Sequence, residues 1–581
     1  MRRLLVAFAL MLGLGSRGVG SPGPENLLLV VNGDDPASVS VARLYASLRS
    51  VPAGNILTLR GVPKGGTIPA VEFRRSILSP ILRTIKERGL EGQIECVAYS
   101  AGFPYAVDVS ADMAGKTLPH YITQPASLTG LTYLYELAMA GNAAYLDMDA
   151  NGYYRDRTTR AAARPWTDED RALQTELKTA VAAANAAKDP TETQRQTARA
   201  AAAAERLAKR HPALPELLYD LACLRAVTGD AAGAIRALEQ AVNAGWFDVT
   251  HTEADPDLRS LRQRSDYREL VSRMRSNPVI IQRTIPFHGS KRWGIGDTRV
   301  LLSAMLGYVG PNANTEAEAL ACLKRSVAAD SSSPKGTVYF MESDDRARTG
   351  PRTWAFAPAR EALRRLGVRA EIQKGTLPSG RDDVAGAVVG IATFDWASSK
   401  SRILPGAFCD HLTSAAGVMT GGGQTLLSEW IRHGAAGSSG TVTEPYNLQA
   451  KFPTAFLHVH YASGATLVEA FYQSVAGPYQ QLLVGDPLCA PWAPRISVSV
   501  EGLKPGAALR ASASLTPKAT GARAVRFELY VDGRRVASCQ PGGELRLEAA
   551  GLKRGPHEAR VVAVCGPMEH RARAILPFTV R

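Results

Sequence analysis

The run Asn26-Leu-Leu-Leu-Val-Val-Asn32 constrains this chain more than any other stretch. A strand that is apolar at every position, rather than every second one, needs cover on both faces. That is the situation of a parallel sheet flanked by helices. Asp34, Asp35 and Pro36 supply a turn, and 39–49 reads as a helix with apolar residues at Val41, Leu44, Tyr45 and Leu48. Pro52 and Gly54 end it. A strand is expected at 56–59, a helix at 71–88 interrupted at Pro80, and a third strand at 94–98. This β-α-β-α-β rhythm implies an open α/β layer. The turn after the first strand reads NGDDPAS, which lacks the Gly-x-Gly-x-x-Gly of a dinucleotide site.

The rhythm resumes later. Strands are expected at 336–340 and 368–372, with a helix at 354–366 between them. A further apolar run, 384–392, ends at Thr393, Phe394 and Asp395. Sites in open sheets form beyond such strand ends, which brings Asp395 and the segment PGAFCDH to a candidate crevice. Helices are expected at 128–139, 298–308 and 317–328. The stretch 161–210 is helical by its Ala, Glu, Arg and Gln content. Beyond it, Leu221, Ala222, Gly229, Ala234, Leu238 and Ala241 match one tetratricopeptide-like unit, so 160–275 reads as a helical insertion able to dock a protein partner or act as a spacer. From 495 short strands alternate with Gly- and Pro-rich turns. Val531 to Val536 is a hairpin with an Asp-Gly turn, and the pattern suggests an immunoglobulin- or fibronectin-like sandwich.

A length of 581 residues accommodates roughly three or four domains. The net charge of +14 comes from scattered Lys and Arg, with no basic tract interleaved with aromatics and no zinc-finger spacing. Specific nucleic-acid binding is therefore not expected. Met1 to Gly20 has two arginines, an apolar run from Leu4 to Leu14 and then small residues, the pattern of a secretory leader. Residues 1–22 are expected to be a signal peptide cleaved near 20–24. No later stretch reaches 18 apolar residues, so the mature chain is expected to be exported without a membrane span, to the periplasm, cell surface or medium. Of seven cysteines, Cys539 and Cys565 share one small domain and form the best disulfide candidate.

Candidate chemistry concentrates in 405–493. Cys409 has His411 two residues on, and on a strand these share a face. A cysteine nucleophile needs such a base, and His288, His433, His458 and His460 are further candidates. Asp410, His411, His458, His460, Glu444 and Asp486 include metal-ligand types, and Glu444 with Glu469 could form a carboxylate pair. Asp486 is expected to order a loop. Upstream, YLDMDANGYYRD places Asp147, Asp149 and Asn151 at positions 1, 3 and 5 of a calcium-loop pattern, with Gly152 at 6 and Asp156 nearby. Thr158 stands where that pattern has Glu, and an Asx/Gly turn is the alternative.

The motifs PGAFCDHLTSAAG, GAAGSSGTVTEPY, KFP, YASGATLVEAFYQS and LLVGDPLCAPW, with VVNGDDPASVSVARLYASLRSVPAGNI and YLDMDANGYY, resemble an uncharacterised bacterial family from organisms carrying the exosortase protein-sorting system. The resemblance covers 26–493, apart from the helical insertion. A more distant likeness is to gingipain-type cysteine peptidases and their caspase-like α/β fold. Those proteins run through a glycine-rich strand to a GDP motif and carry a His-Gly pair before the catalytic cysteine. Cys409 falls near that cysteine's place. The strand end that would hold the pair reads Thr393-Phe394-Asp395, and His288-Gly289 lies four elements earlier.

The residue patterns and the resemblances together lead to an expected open caspase-like or flavodoxin-like parallel sheet; the residue patterns alone add a TPR-like insertion and a C-terminal immunoglobulin-like β-sandwich. The expected units are 25–158, 160–275, 279–493 and 495–581. The expected role is a non-catalytic surface or interaction protein of the cell envelope. The alternative is a cysteine-peptidase-like hydrolase using Cys409 with His411 or His288, and Asp395.

Overall fold

The computed structural model describes residues 21–156, 167–212, 215–244, 246, 249–276, 284–288, 299–421 and 423–581. All but the last two residues of the expected leader, and Thr158 of the calcium pattern, lie outside them.

Ten strands form one sheet. In chain order they are β1 (Leu27–Asn32), β2 (Ile56–Leu59), β3 (Cys96–Tyr99), β4 (Leu302–Met305), β5 (Thr337–Glu342), β6 (Arg369–Lys374), β7 (Val384–Gly390), β8 (Ile403–Leu412), β9 (Gly437–Thr441) and β10 (Gln481–Gly485). Across the sheet the order is β2-β1-β3-β4-β10-β9-β8-β7-β5-β6. Every neighbouring pair is parallel except β9 with β10, which run antiparallel from Gly437↔Gly485 to Thr441↔Gln481.

The sheet is thus two parallel halves joined back to back. Counting strands along the chain within each half, both have the order 2-1-3-4-5, one of the common doubly wound orders. Local chemistry repeats too. In each half the first strand is followed by an Asp-Asp pair whose second member caps a helix. Asp35 accepts from Ser38 N at 2.9 Å, and Asp345 from Arg348 N at 3.2 Å.

Strand β4 corrects the helix expected at 298–308. It lies between β3 and β10 and is buried at all four positions, so both faces are covered and no period of two marks it. A short uninterrupted apolar run cannot be told from a buried helical turn by periodicity.

The helical insertion leaves the sheet between β3 and β4. Within the stretch expected to be helical, 161–210, lie Asp168–Ala186 and Pro190–Arg210; the expected helix-turn-helix unit is Pro215–Val227 with Ala231–Ala244, followed by Ser265–Ser276. Thr167 and Asp170 cap the first helix reciprocally. The insertion's core, including Leu207, Leu218, Leu221, Leu238, Leu258 and Leu270, contains only its own residues.

After residue 495, a three-stranded sheet (Ser497–Glu501, Ala513–Thr520, Leu545–Leu547) and a five-stranded sheet share one core around Leu515, Phe527, Leu529, Val561 and Phe578. The expected Asp-Gly hairpin is present, with Asp532 at φ 50° and Gly533 at φ 87°. The expected Cys539–Cys565 disulfide is absent, and both cysteines are free. They pair with opposite sides of the strand Ala524–Val531, Cys539 with Phe527 and Cys565 with Ala524. Two strand spacings alone come to roughly 10 Å, beyond disulfide reach.

This unit is fixed to the first half-sheet. Gln93 donates to Gly533 O at 2.6 Å and accepts from Arg535 N at 2.9 Å. Buried Glu25 faces Arg560 at 3.2 Å and Arg573 at 3.0 Å, and their charges hold its carboxyl below the usual range against the opposing effect of burial.

Candidate functional site

The site expected around Cys409 is built on β8, whose last seven residues are buried. Side chains alternate across the sheet, so Cys409 and His411 share one face and Asp410 takes the other. Cys409 packs in an apolar cluster with Tyr339, Met341, Val389, Trp396 and Trp430. Burial pushes its thiol well up, the opposite of what a thiolate nucleophile needs. His411 has no ring nitrogen left to serve as its base. Nδ1 accepts from Trp430 Nε1 at 2.9 Å, so Nε2 carries the proton and donates to Thr425 O at 2.9 Å. Burial lowers this imidazole to about 4.

The other expected partners are elsewhere. Asp395 is an exposed turn residue that accepts from Ala397 N at 3.0 Å. His288 is half-buried at the end of segment 284–288. That segment is pinned to the helices Phe456–Ala462 and Leu467–Ser474 through Thr284 to His460, Ile285 to Gln473 and Phe287 to Glu469. Phe456 and Val459 of the first helix pack with Val338, Phe340 and Val388, the face opposite Cys409. The structure therefore does not assemble Cys409, His411, His288 and Asp395 into one centre.

On that opposite face, Arg352 of the helix Arg346–Thr353 pairs with Asp410 and donates to Val389 O. Ser439 donates to the second Asp410 oxygen at 2.8 Å. Arg352 is 1 % exposed and Asp410 2 %, so this is a buried, hydrogen-bonded ion pair. His458 lies nearby against β7, where a Cβ on Gly386 would stand 2.5 Å from its ring. Both its ring nitrogens lack a partner. Burial, then the Arg352 charge, lower it to about 3.

The calcium pattern is not assembled either. Asn151 turns inward: its Oδ1 accepts from Tyr133 OH at 2.6 Å and Tyr153 N at 2.8 Å, and its Nδ2 donates to Tyr472 O and Val475 O. Asp156 receives His460 Nε2 at 2.7 Å and the Thr454 hydroxyl. Asp147 and Asp149 remain at the rim, where burial and mutual repulsion raise the Asp147 carboxyl. Two of the four expected ligands therefore hold the loop to the helices above it. Thr284, His460 and Asp156 form a hydroxyl–imidazole–carboxylate chain, closed to solvent, which anchors the return from the insertion.

Among the described residues, one group has metal-ligand geometry: Cys223, Asp255 and Asp257 in the insertion, with ligand atoms within 4.8 Å of one another. They could coordinate a metal ion. Sequence reading missed this group because its members come from two helical segments far apart in the chain.

The remaining polar candidates are structural. Glu469 caps its own helix through Thr466, and Glu444 is an exposed turn acceptor for Tyr446 N. His433 pairs with Glu429 at 2.9 Å. Asp486 of the GDP motif orders its loop by accepting from Leu488 N at 3.0 Å. It also receives Tyr45 OH and Arg49 Nε, both at 3.0 Å, from the first helix.

No protein-family model matches the sequence. No curated protein matches it. Among solved structures, the chain is similar to the fibronectin(III)-like modules of Clostridium thermocellum CbhA at 20% identity, covering 15% of this chain and 96% of that one with a TM-score of 0.13. It is similar to a Jonesia denitrificans lytic polysaccharide monooxygenase at 19% identity, covering 13% and 58% with a TM-score of 0.12. A Parabacteroides merdae β-glucuronidase matches at 10% identity over 49% of this chain and 42% of that one, with a TM-score of 0.13. Likeness at this level assigns neither fold nor activity.

Proposed function

We propose that this chain is an exported, non-catalytic interaction protein of the cell envelope, using its doubled sheet as a scaffold and its helical insertion to dock a protein partner. The observation that carries this reading is that the reactive residues of 405–493 are either bonded internally or sealed in the core without a partner, as His458 is. His411 and His460 have both ring nitrogens bonded. Cys489 donates to the backbone carbonyl of Ser326, and Cys409 is sealed among apolar and aromatic side chains. Nothing in that arrangement activates a nucleophile. The insertion's independent core fits a docking module, since it can present a surface without disturbing the sheet. Among the described residues no helix is long and apolar enough to cross a membrane.

For the metal group, a thiol beside two carboxylates suits a borderline metal such as zinc better than calcium, which takes oxygen ligands. The alternative reading, a hydrolase using Cys409, is tested by native thiol alkylation at neutral pH. Cys409 is expected to stay unlabelled, at the level of a Cys409→Ala control. Labelling above that control would reinstate the hydrolase. The docking role predicts that removing 160–275 abolishes capture of an envelope partner while leaving the sheet folded. Equal capture by both forms would discard the insertion as the docking element.

A further inference from the structure

A surplus of buried carboxylates lies beneath the C-terminal unit. Glu95, one residue before β3, is fully buried and neither of its oxygens has a hydrogen-bond partner. Arg571 is the nearest cation, but its NH2 stands 3.9 Å from Glu95 Oε1 and is itself without an acceptor. The same guanidinium is bonded to Glu528 at 2.8 Å. Arg526 bridges Glu528 at 2.8 Å and Glu569 at 3.0 Å, and Arg535 lies 3.5 Å from Glu528. Glu469, also fully buried, is held only by neutral donors: Phe287 N, Thr466 and Ser21. Three guanidiniums therefore face Glu528 and Glu569, and the Glu95–Glu469 side is left short of positive charge. Burial and neighbouring carboxylates accordingly push the Glu95 carboxyl well up.

Ser21 enters this cluster. It is 3 % exposed, its hydroxyl donates to Glu469 Oε1 at 3.0 Å and to Met568 O at 2.7 Å, and its carbonyl accepts from Arg571 Nε at 2.8 Å. As an interior residue Ser21 brings no charge; as a first residue it brings an ammonium with three donors. Gly18 and Gly20 place small residues three and one positions before it, as leader cleavage requires.

We propose that the leader is removed at the Gly20–Ser21 bond and that the new Ser21 α-ammonium pairs with Glu95 and Glu469, locking the C-terminal unit onto the first half-sheet. This rests on the export reading above. A leader-removing peptidase directs water onto the amide. The hydroxyl goes to the Gly20 carbonyl carbon, one proton goes to the Ser21 nitrogen, and a second proton from solvent makes the ammonium.

The test begins with the intact mass and N-terminal sequence of protein recovered from an exporting host, which should begin at Ser21. Cleavage elsewhere overturns the inference but leaves export standing; an uncut chain removes both. The second arm compares protein beginning at Ser21 with protein retaining Gly20. The extension should lower Tm by about 2 °C or more, and the difference should shrink in a Glu95→Gln background. An unchanged Tm refutes the pairing. If Glu95→Gln fails to fold, acylation of the Ser21 amine at pH 7 decides: it should be at least 10-fold slower in native than in unfolded protein, and equal rates refute the pairing.

Discussion

At the residue scale, the buried pair Arg352–Asp410 ties the helix Arg346–Thr353 to β8 of the second half-sheet. Arg352→Met strips Asp410 of its counter-ion and should cost about 3–5 kcal/mol in denaturant unfolding. Replacing both residues with apolar ones of similar size should recover most of that loss. A single variant as stable as the native chain would mean that the pair is not closed to water. The cysteines give an independent check. Cys539 is half-exposed and the other six are buried, so one thiol should react in the native protein and seven after unfolding. Several simultaneous native reactions would contradict the packing around β8. Alternation along FCDHL correctly put Cys409 and His411 on one face. Their partners were not legible, because Trp430 and Thr425 follow on a later loop and helix, and Asp410's partner Arg352 sits far upstream.

At the element scale, the insertion and the sheet have separate cores. A chain in which a short linker replaces 160–275 should keep a cooperative unfolding transition. The isolated insertion should show helical circular dichroism with its own transition. An unfolded remainder would show that the insertion supports the sheet. Strands that open on a full apolar run, such as β1, were legible because strand length, flanking turns and the following helix agreed. Strand β4 was not, since LLSAML carries no period and its identity comes only from its neighbours β3 and β10. The calcium loop failed for a related reason. The spacing of Asp147, Asp149 and Asn151 is a property of the local chain, whereas Asn151's inward turn is dictated by Tyr133 and the carbonyls of Tyr472 and Val475.

At the scale of the whole molecule, buried histidines and carboxylates set the response to pH. His411 and His458 are held to about 4 and about 3 in the folded state, against an ordinary value of 6.5. Between pH 6.5 and those values the unfolded chain binds protons that the folded one does not. Stability therefore falls as pH falls through this window, by on the order of 3–5 kcal/mol per histidine. Glu528, held to about 2, and Glu25, also lowered, add a further loss as pH drops below about 4.5. Glu95 and Glu469 are raised and act in the opposite sense, losing stability as pH rises above about 4.5. That opposing effect overlaps the histidine window above about pH 4.5. His411→Gln should lose less Tm between pH 7 and pH 4 than the native chain does. Identical pH profiles for the variant and the native chain would mean that this imidazole is wet. None of this was legible from composition, which records the count of each group but not its surroundings.

The antiparallel seam has a consequence for how the molecule is made. The second half-sheet, β5 to β9, is contiguous between residues 337 and 441, whereas the first has four strands before that span and its last, β10, after it. A ribosome or translocon delivers the chain from its N-terminus, so β1 to β4 emerge first yet lack their closing strand. The later half can complete itself while the earlier one waits with an open edge at β4. Such an unpaired edge is a site for aberrant pairing. The oldest part of the nascent chain is therefore the last to be finished, and the β4 edge stays open until residue 485 emerges.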